Sequence, residues 1–361
     1  MENYNRVVRA ILARGKAKGV DRERTGTGTL NIFGTETVYD LTEGFPLLTD
    51  RQMYTKGVLA ELECLLTGKT NNEDFKTAGC NFWSQWAVKD TSPRDIQNDI
   101  HVGDLGPIYS EMWTNWPNGD GTTINQIQSI IDTLTENPDS RRQVVTAWNP
   151  SFLPDDRISP EDNVKNGKAC LAYCHTLFQF YTDVLSVTER MEYASNTMGF
   201  NGDLVHQLID VDVGIKEMDY INLPASERVL VDLDSDPEII KAHSALDKLH
   251  IPRRSLSCKL YARSQDYMVG TPSNIAFYSV LTHLLQDQLN FAIGKYIHST
   301  GDTHIYFNHV TQAEEQIKRE PRPLPTLKWR RKPNGVFDFK ASDVEFVDYN
   351  PHPPIRYPVA K

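Results

Sequence analysis

The stretch Cys170-Leu171-Ala172-Tyr173-Cys174-His175-Thr176-Leu177-Phe178-Gln179-Phe180-Tyr181 constrains this chain more than any other. Its second half, Phe178 to Tyr181, reads as a buried strand, and a cysteine followed at once by a histidine stands where that strand begins. A thiol at the start of a strand can project into a cleft while the strand behind it stays packed. Taken by itself, Cys174 reads as a small buried hydrophobe, because free cysteine is among the most buried residue types. The rest of the chain has to decide between the two.

The balance of charge and cysteine narrows the setting. A formal net charge of -10 over 361 residues argues against a protein that coats nucleic acid, which needs clustered positive charge. It leaves room for a nucleotide enzyme, where a few local arginines suffice. The five cysteines (Cys64, Cys80, Cys170, Cys174, Cys258) lack the paired spacing of a disulfide framework. An odd count, with no apolar stretch in Met1-Glu2-Asn3-Tyr4-Asn5-Arg6, predicts reduced thiols in a cytoplasmic setting. No uncharged apolar run approaches a membrane span, so a soluble intracellular protein is expected.

Along the chain, Val7, Val8, Ile11 and Leu12 predict an amphipathic helix over 4–18. The glycines and threonines from Thr25 to Thr29 make a loop, and Leu30-Asn31-Ile32-Phe33-Gly34 starts a strand. Gly26-Thr27-Gly28 beside Arg24 can suit a phosphate, but by itself the stretch reads better as a plain turn. Apolar positions 58, 59, 62, 65 and 66 mark a buried helix ending at Gly68. Glu61, at the edge of that face, either snorkels outward or points into a cleft with a raised pKa, and spacing does not choose. Phe82, Trp83, Trp86, Tyr109, Trp113 and Trp116 read as packing, with stacking on a flat cofactor as the alternative. Ile124 to Leu134 predicts a helix stopped before Pro138, and Arg141-Arg142 then precede a strand over 143–148. Those arginines are either solvated or an anion clamp.

Residues 183–254 are acidic, with Asp232, Asp234 and Asp236 among apolar segments, and read as a folded insertion with short helices. A strand over 257–264, a turn over 266–272 and a helix over 274–289 follow. Residues 294–306 read as strand, loop, strand, and the tail from Pro321 is proline-rich. Strands and helices mix without a clean boundary, which favours one α+β domain over 1–361.

Several segments together resemble the thymidylate synthase family, which includes the pyrimidine-nucleotide hydroxymethylases. They are Arg24 to Thr29, Gly103-Asp104-Leu105-Gly106-Pro107-Ile108-Tyr109, and Pro138-Asp139-Ser140-Arg141-Arg142. The run continues with Cys174-His175 through Gln179-Phe180-Tyr181, then Arg263-Ser264 with Asp266, Asn274-Ile275-Ala276, and Gly301-Asp302-Thr303-His304-Ile305-Tyr306 with Asn308-His309. The resemblance covers the chain except 183–254 and part of 150–169. It implies a large mixed β-sheet with surrounding helices, sheet faces packed together in a homodimer, and no metal. It also implies that Cys174 adds to C6 of a pyrimidine, so that C5 can attack a one-carbon donor, 5,10-methylenetetrahydrofolate.

By the same resemblance Glu61 is the carboxylate that organises water near the base, Tyr109 serves proton removal from C5, and His175 neighbours the nucleophile. Arg24, Arg263 and Ser264 bind phosphate, and Arg141 and Arg142 reach the other subunit's phosphate site. Gln179 is a further substrate ligand. His304 and Tyr306 meet the sugar hydroxyl, while Trp83, Trp86, Leu171 and Asp266 fall on the folate side, Asp266 with a catalytic part as well. Asn274 offers both a donor and an acceptor, which matches the O4 and N3–H of uracil, so deoxyuridine monophosphate (dUMP) is the expected substrate.

Departures from the family pattern bear on the product. Tyr173 stands where proline usually precedes the cysteine, and Ser273 where phenylalanine precedes the asparagine. Glu63 and Cys64 replace Leu and Trp, and the chain ends in Lys361 where an apolar residue is usual. A more polar wall holds water, and water capture gives 5-hydroxymethyl-dUMP where hydride transfer gives thymidylate. The hydroxymethylase is the expectation, in the cytoplasm, or in a host's if the chain is viral. Two alternatives stand beside it: a divergent thymidylate synthase, and a silent relative that binds a partner. A metal site at Cys170, Cys174 and His175 lacks further ligands.

Overall fold

The structure is a computed structural model that describes residues 1–19, 26–201, 216–217, 220–228 and 235–358. Six strands make the main sheet: β1 (Lys16–Lys18), β2 (Thr29–Asp40), β3 (Val144–Thr146), β4 (His175–Val184), β5 (Arg254–Asp266) and β6 (Ala292–Tyr306). Their spatial order is β1-β2-β6-β5-β4-β3, with β5 and β6 parallel and every other pair antiparallel. The expected α+β class with a large mixed sheet is therefore the observed one.

Strand alternation decides what each face carries. On β4, Thr176, Phe178, Phe180 and Thr182 are buried, while Leu177 and Tyr181 are exposed. On β5, Leu256, Cys258, Leu260 and Ala262 are buried in the same way. The buried face lies against α3 (Gly270–Leu289, taking α1 as Glu2–Arg14 and α2 as Thr55–Leu66), whose residues are almost all buried from Thr271 to Leu285. The other face is open and carries Phe33, Leu177, Tyr181 and Tyr261. An exposed apolar sheet face of this kind is what a partner surface looks like before it is covered.

Three elements differ from expectation. The first helix ends at Arg14, and Lys16–Lys18 pairs with β2 as an edge strand. Gly15 makes the break: a Cβ there would stand 2.4 Å from the Ile11 carbonyl oxygen. Residues 294–306 are one continuous strand, because Gly301 does not open a loop. It lets β6 approach β5, where a Cβ would lie 2.7 Å from the Arg263 carbonyl oxygen. The long helix begins at Gly270, with Pro272 in its first turn, where a missing N–H costs nothing.

Within 183–254 the described residues include two helices, Val187–Asn196 and Pro237–Lys248, which share a small apolar core of Val187, Met191, Ala194, Ile239, Ala242 and Leu246. Arg190 is fully buried between them and donates to the Pro252 and Ile251 carbonyls and to Asp247. Glu217 accepts from the Val187 and Thr188 N–H groups and so caps the first helix. The apolar segments 204–209 and 229–231 and much of the acidic run lie outside the described residues.

Candidate active site

Cys174 sits at the turn into β4, and four hydrogen bonds fix that turn. The Tyr109 hydroxyl accepts from Cys174 N at 2.8 Å and from His175 N at 3.4 Å. Arg263 N–H donates to the Cys174 carbonyl at 2.9 Å, and its Nε donates to the Tyr173 carbonyl at 2.7 Å. The Arg263 Nη2 then lies 4.0 Å from Cys174 Sγ. A guanidinium at that distance stabilises negative charge on sulfur, which is the nucleophilic form. Cys174 is half-buried, whereas Cys64, Cys80, Cys170 and Cys258 are buried. Burial pushes the Cys64, Cys170 and Cys258 thiols up to about 12, so they stay protonated and inert. Cys170 is therefore a core thiol, and among the five cysteines Cys174 is the one that is not buried.

A second group of side chains adjoins the first. Glu61, on α2, accepts a 2.9 Å bond from Trp83 Nε1. Removal from water raises its carboxyl to about 7, and the Trp83 bond offsets that only in part. The carboxylate thus points inward, not out to solvent. Trp83 meets Tyr109 edge-on at 6.2 Å, and Tyr109 stacks on His175 at 4.8 Å. Burial lowers His175 to about 4, with a bond to Asn274 opposing, so the ring is neutral near pH 7. Its Nδ1 pairs with the Tyr278 hydroxyl at 3.1 Å. Cys174, Arg263, Tyr109, His175, Trp83, Glu61 and Asn274 are thereby linked in one continuous set.

The parallel register of β5 and β6 builds a neighbouring group, with Asp266 beside His304 and Ser264 beside Asp302. Asp302 accepts from His304 Nδ1 at 3.0 Å, Asn31 Nδ2 at 2.6 Å and Lys18 Nζ at 3.1 Å. These donors hold its carboxyl far below the usual range. The Asp302 bond to Nδ1 fixes the His304 ring, and Tyr306 packs edge-on against it at 5.1 Å. Asp266 Oδ1 accepts from the Met268 and Val269 N–H groups at the start of α3.

Of the remaining expected ligands, Gln179, Arg141 and Arg142 lie apart from this set. Gln179 points to the open face of the sheet, because alternation with Phe178 and Phe180 puts it there. Arg141 and Arg142 are exposed ahead of β3, next to Asp139, which pairs with Arg254 at 2.7 and 2.8 Å. Trp86 meets Trp83 edge-on, and Leu171 packs on the core. Arg24 and Lys361 lie outside the described residues.

A cavity of about 140 Å³ opens between Arg51, Tyr54, Phe82, Ser273 and Tyr357. Its walls are largely aromatic, and the Arg51 guanidinium at one side lies over the Tyr357 ring. The departures from the family pattern behave differently from one another. Tyr173 is buried with its hydroxyl donated to the Pro107 carbonyl, and Cys64 is in the core. Glu63 accepts from Ala341 N at 2.8 Å and Lys340 Nζ at 3.1 Å, away from the cavity. Ser273 alone of these four lines it.

Sequence reading assigned no role to Gln265, Tyr278, Asp302 or Trp148, the last lying 5.5 Å from the Arg263 guanidinium. Asp302 stood inside a quoted motif, and the other three carried no local signal. No helix among the described residues is long and apolar enough to cross a membrane. The family model described as Thymidylate synthase matches residues 2–211 and 237–361, which leaves 212–236 unmatched.

Proposed function

The chain belongs to the thymidylate synthase family, and from that premise we propose that it converts dUMP to 5-hydroxymethyl-dUMP. As a member of that family it is a one-carbon transferase acting on dUMP with 5,10-methylenetetrahydrofolate as co-substrate. In the proposed course, Cys174 Sγ adds to C6 of the uracil ring, and the electron pair moves to C5, which then takes the one-carbon unit. Arg263, whose Nη2 lies 4.0 Å from the sulfur, favours negative charge there and, with Ser264 and Arg24, receives the phosphate. Tyr109, anchored to the cysteine turn, takes part in loss of the C5 proton, and Glu61 orders water and protons beside the base. His304 and Tyr306 meet the sugar, Trp83 and Asp266 fall on the folate side, and the cavity lined by Tyr54, Phe82 and Tyr357 receives part of the folate. Two copies pair through their open sheet faces, so that Arg141 and Arg142 of each complete the other's phosphate site.

Ser273 in the cavity wall carries the choice of product. A hydroxyl where the family usually has phenylalanine leaves room and hydrogen-bonding capacity for water at the carbon that accepts hydride or hydroxide. Methyl transfer is the second reading, and it is favoured by Tyr173, Cys64 and Glu63 being satisfied away from that cavity. Incubation with dUMP and methylenetetrahydrofolate, read by mass, separates the two. 5-Hydroxymethyl-dUMP without dihydrofolate is expected, and thymidylate with stoichiometric dihydrofolate overturns the proposal.

Base choice gives a further expected result. Asn274→Asp replaces a mixed donor and acceptor by acceptors only, which suits the cytosine amino group. The ratio of kcat/KM for dUMP over dCMP should fall about 100-fold or more, the scale for a site left with an unpaired buried polar group. Unchanged selectivity in that assay counts against Asn274 as the base reader.

A further inference from the structure

Gln265, between Ser264 and Asp266 at the end of β5, has no part in the chemistry described above. It is 4% exposed, and its Oε1 accepts a 3.0 Å bond from Nδ2 of Asn274, itself 6% exposed on α3. Its Nε2 lies against Gly270, where a Cβ would stand 2.6 Å away. Any side chain at 270 would displace that amide. Strand end, helix start and the paired amides are therefore fitted to one another.

The pairing has a consequence for the base. An asparagine amide carries one acceptor and two N–H hydrogens. Gln265 takes one N–H, which leaves an acceptor beside a donor. With Oδ1 set to accept from N3–H and Nδ2 to donate to O4, that edge complements uracil. Cytosine presents the reverse order, an acceptor at N3 and a donor at N4, and needs the Asn274 amide turned over. Turning it while the Gln265 amide keeps its direction would put Asn274 Oδ1 against Gln265 Oε1, two acceptors with no hydrogen between them, a cost of the kind that buried unpaired polar groups carry. A hydrogen bond between the His175 ring and Asn274 restrains the amide further.

We propose that Gln265 is a specificity-determining residue, which selects uracil over cytosine by locking the direction of the Asn274 amide. The inference rests on the dUMP reading above and adds to it a residue that does not touch the base.

The test uses the full chain with two variants, and measures dissociation constants for dUMP and dCMP together with kcat on dUMP. Gln265→Met keeps the length and removes the acceptor. It should lower the dUMP-over-dCMP affinity ratio about tenfold, with kcat at saturating dUMP within about threefold of the unaltered chain. Gln265→Glu keeps an acceptor and should hold the ratio within about threefold. An unchanged ratio in Gln265→Met, or an equal fall in both variants, overturns the inference and leaves the dUMP reading standing. If Gln265→Met does not fold, loss of dUMP preference in Gln265→Glu overturns it. A preference for dCMP in the unaltered chain defeats the dUMP reading and this inference with it.

Discussion

Cys174→Ala should abolish turnover, with a loss of about 10⁴-fold or more, while the melting temperature stays close to that of the unaltered chain. The size of the loss follows from covalent catalysis. Uracil C5 is a poor nucleophile until C6 is saturated, and no other group at this site can add there. The other thiols are no substitute: Cys64, Cys170 and Cys258 are buried, with their thiols pushed up to about 12. Stability should change little because Cys174 is only half-buried at a turn held by main-chain bonds from Cys174, His175 and Arg263, which alanine retains. The direct readout is a covalent complex with 5-fluoro-dUMP and methylenetetrahydrofolate, seen as a mass increase in the unaltered chain and absent from Cys174→Ala. An adduct that persists in the variant would place the nucleophile elsewhere.

The difference between Cys174 and Gln265 shows what a sequence can disclose here. Cys174 lies next to its own signals, a histidine after it and an alternating strand behind it, and its motif partners recur in a fixed order. Gln265 acts only through Asn274, nine residues on and across the join of strand and helix, and a glutamine at that position has no local mark. Tyr278 and Asp302 are similar, each working through a histidine brought near by packing. Helix and strand cores were legible from period, as with the helix now seen at Thr55–Leu66 and the strand around Phe178–Phe180. Glycine misled twice in opposite senses, breaking a helix at Gly15 and permitting close strands at Gly301. Gln179 is the instructive case on the site. The alternation that buries Phe178 and Phe180 already sends the residue between them to the other face.

Glu61→Gln should lower turnover about 10²- to 10³-fold, the usual worth of a positioned proton-transfer group, yet make the protein more stable above neutral pH. Both effects have one cause. Removal from water raises the Glu61 carboxyl from its ordinary 4.5 to about 7 in the folded chain. The folded state therefore binds this proton more tightly than the unfolded one does. As pH rises from 4.5 to 7 the unfolded chain ionises first, so stability falls across that window and is level beyond it. The full shift corresponds to about 3 kcal/mol, and partial exposure of the side chain to water reduces it to something on the order of 2 kcal/mol. Glutamine is neutral throughout and still offers an oxygen to Trp83 Nε1. The melting temperature of Glu61→Gln should thus exceed that of the unaltered chain at pH 8, and the gap should close towards pH 4.5. In the rate profile, the limb near pH 7 should disappear in the variant. A variant less stable at pH 8 would mean that the charged bond to Trp83 outweighs desolvation. Glu61 would then hold structure, and its role in proton transfer would have to pass to another group.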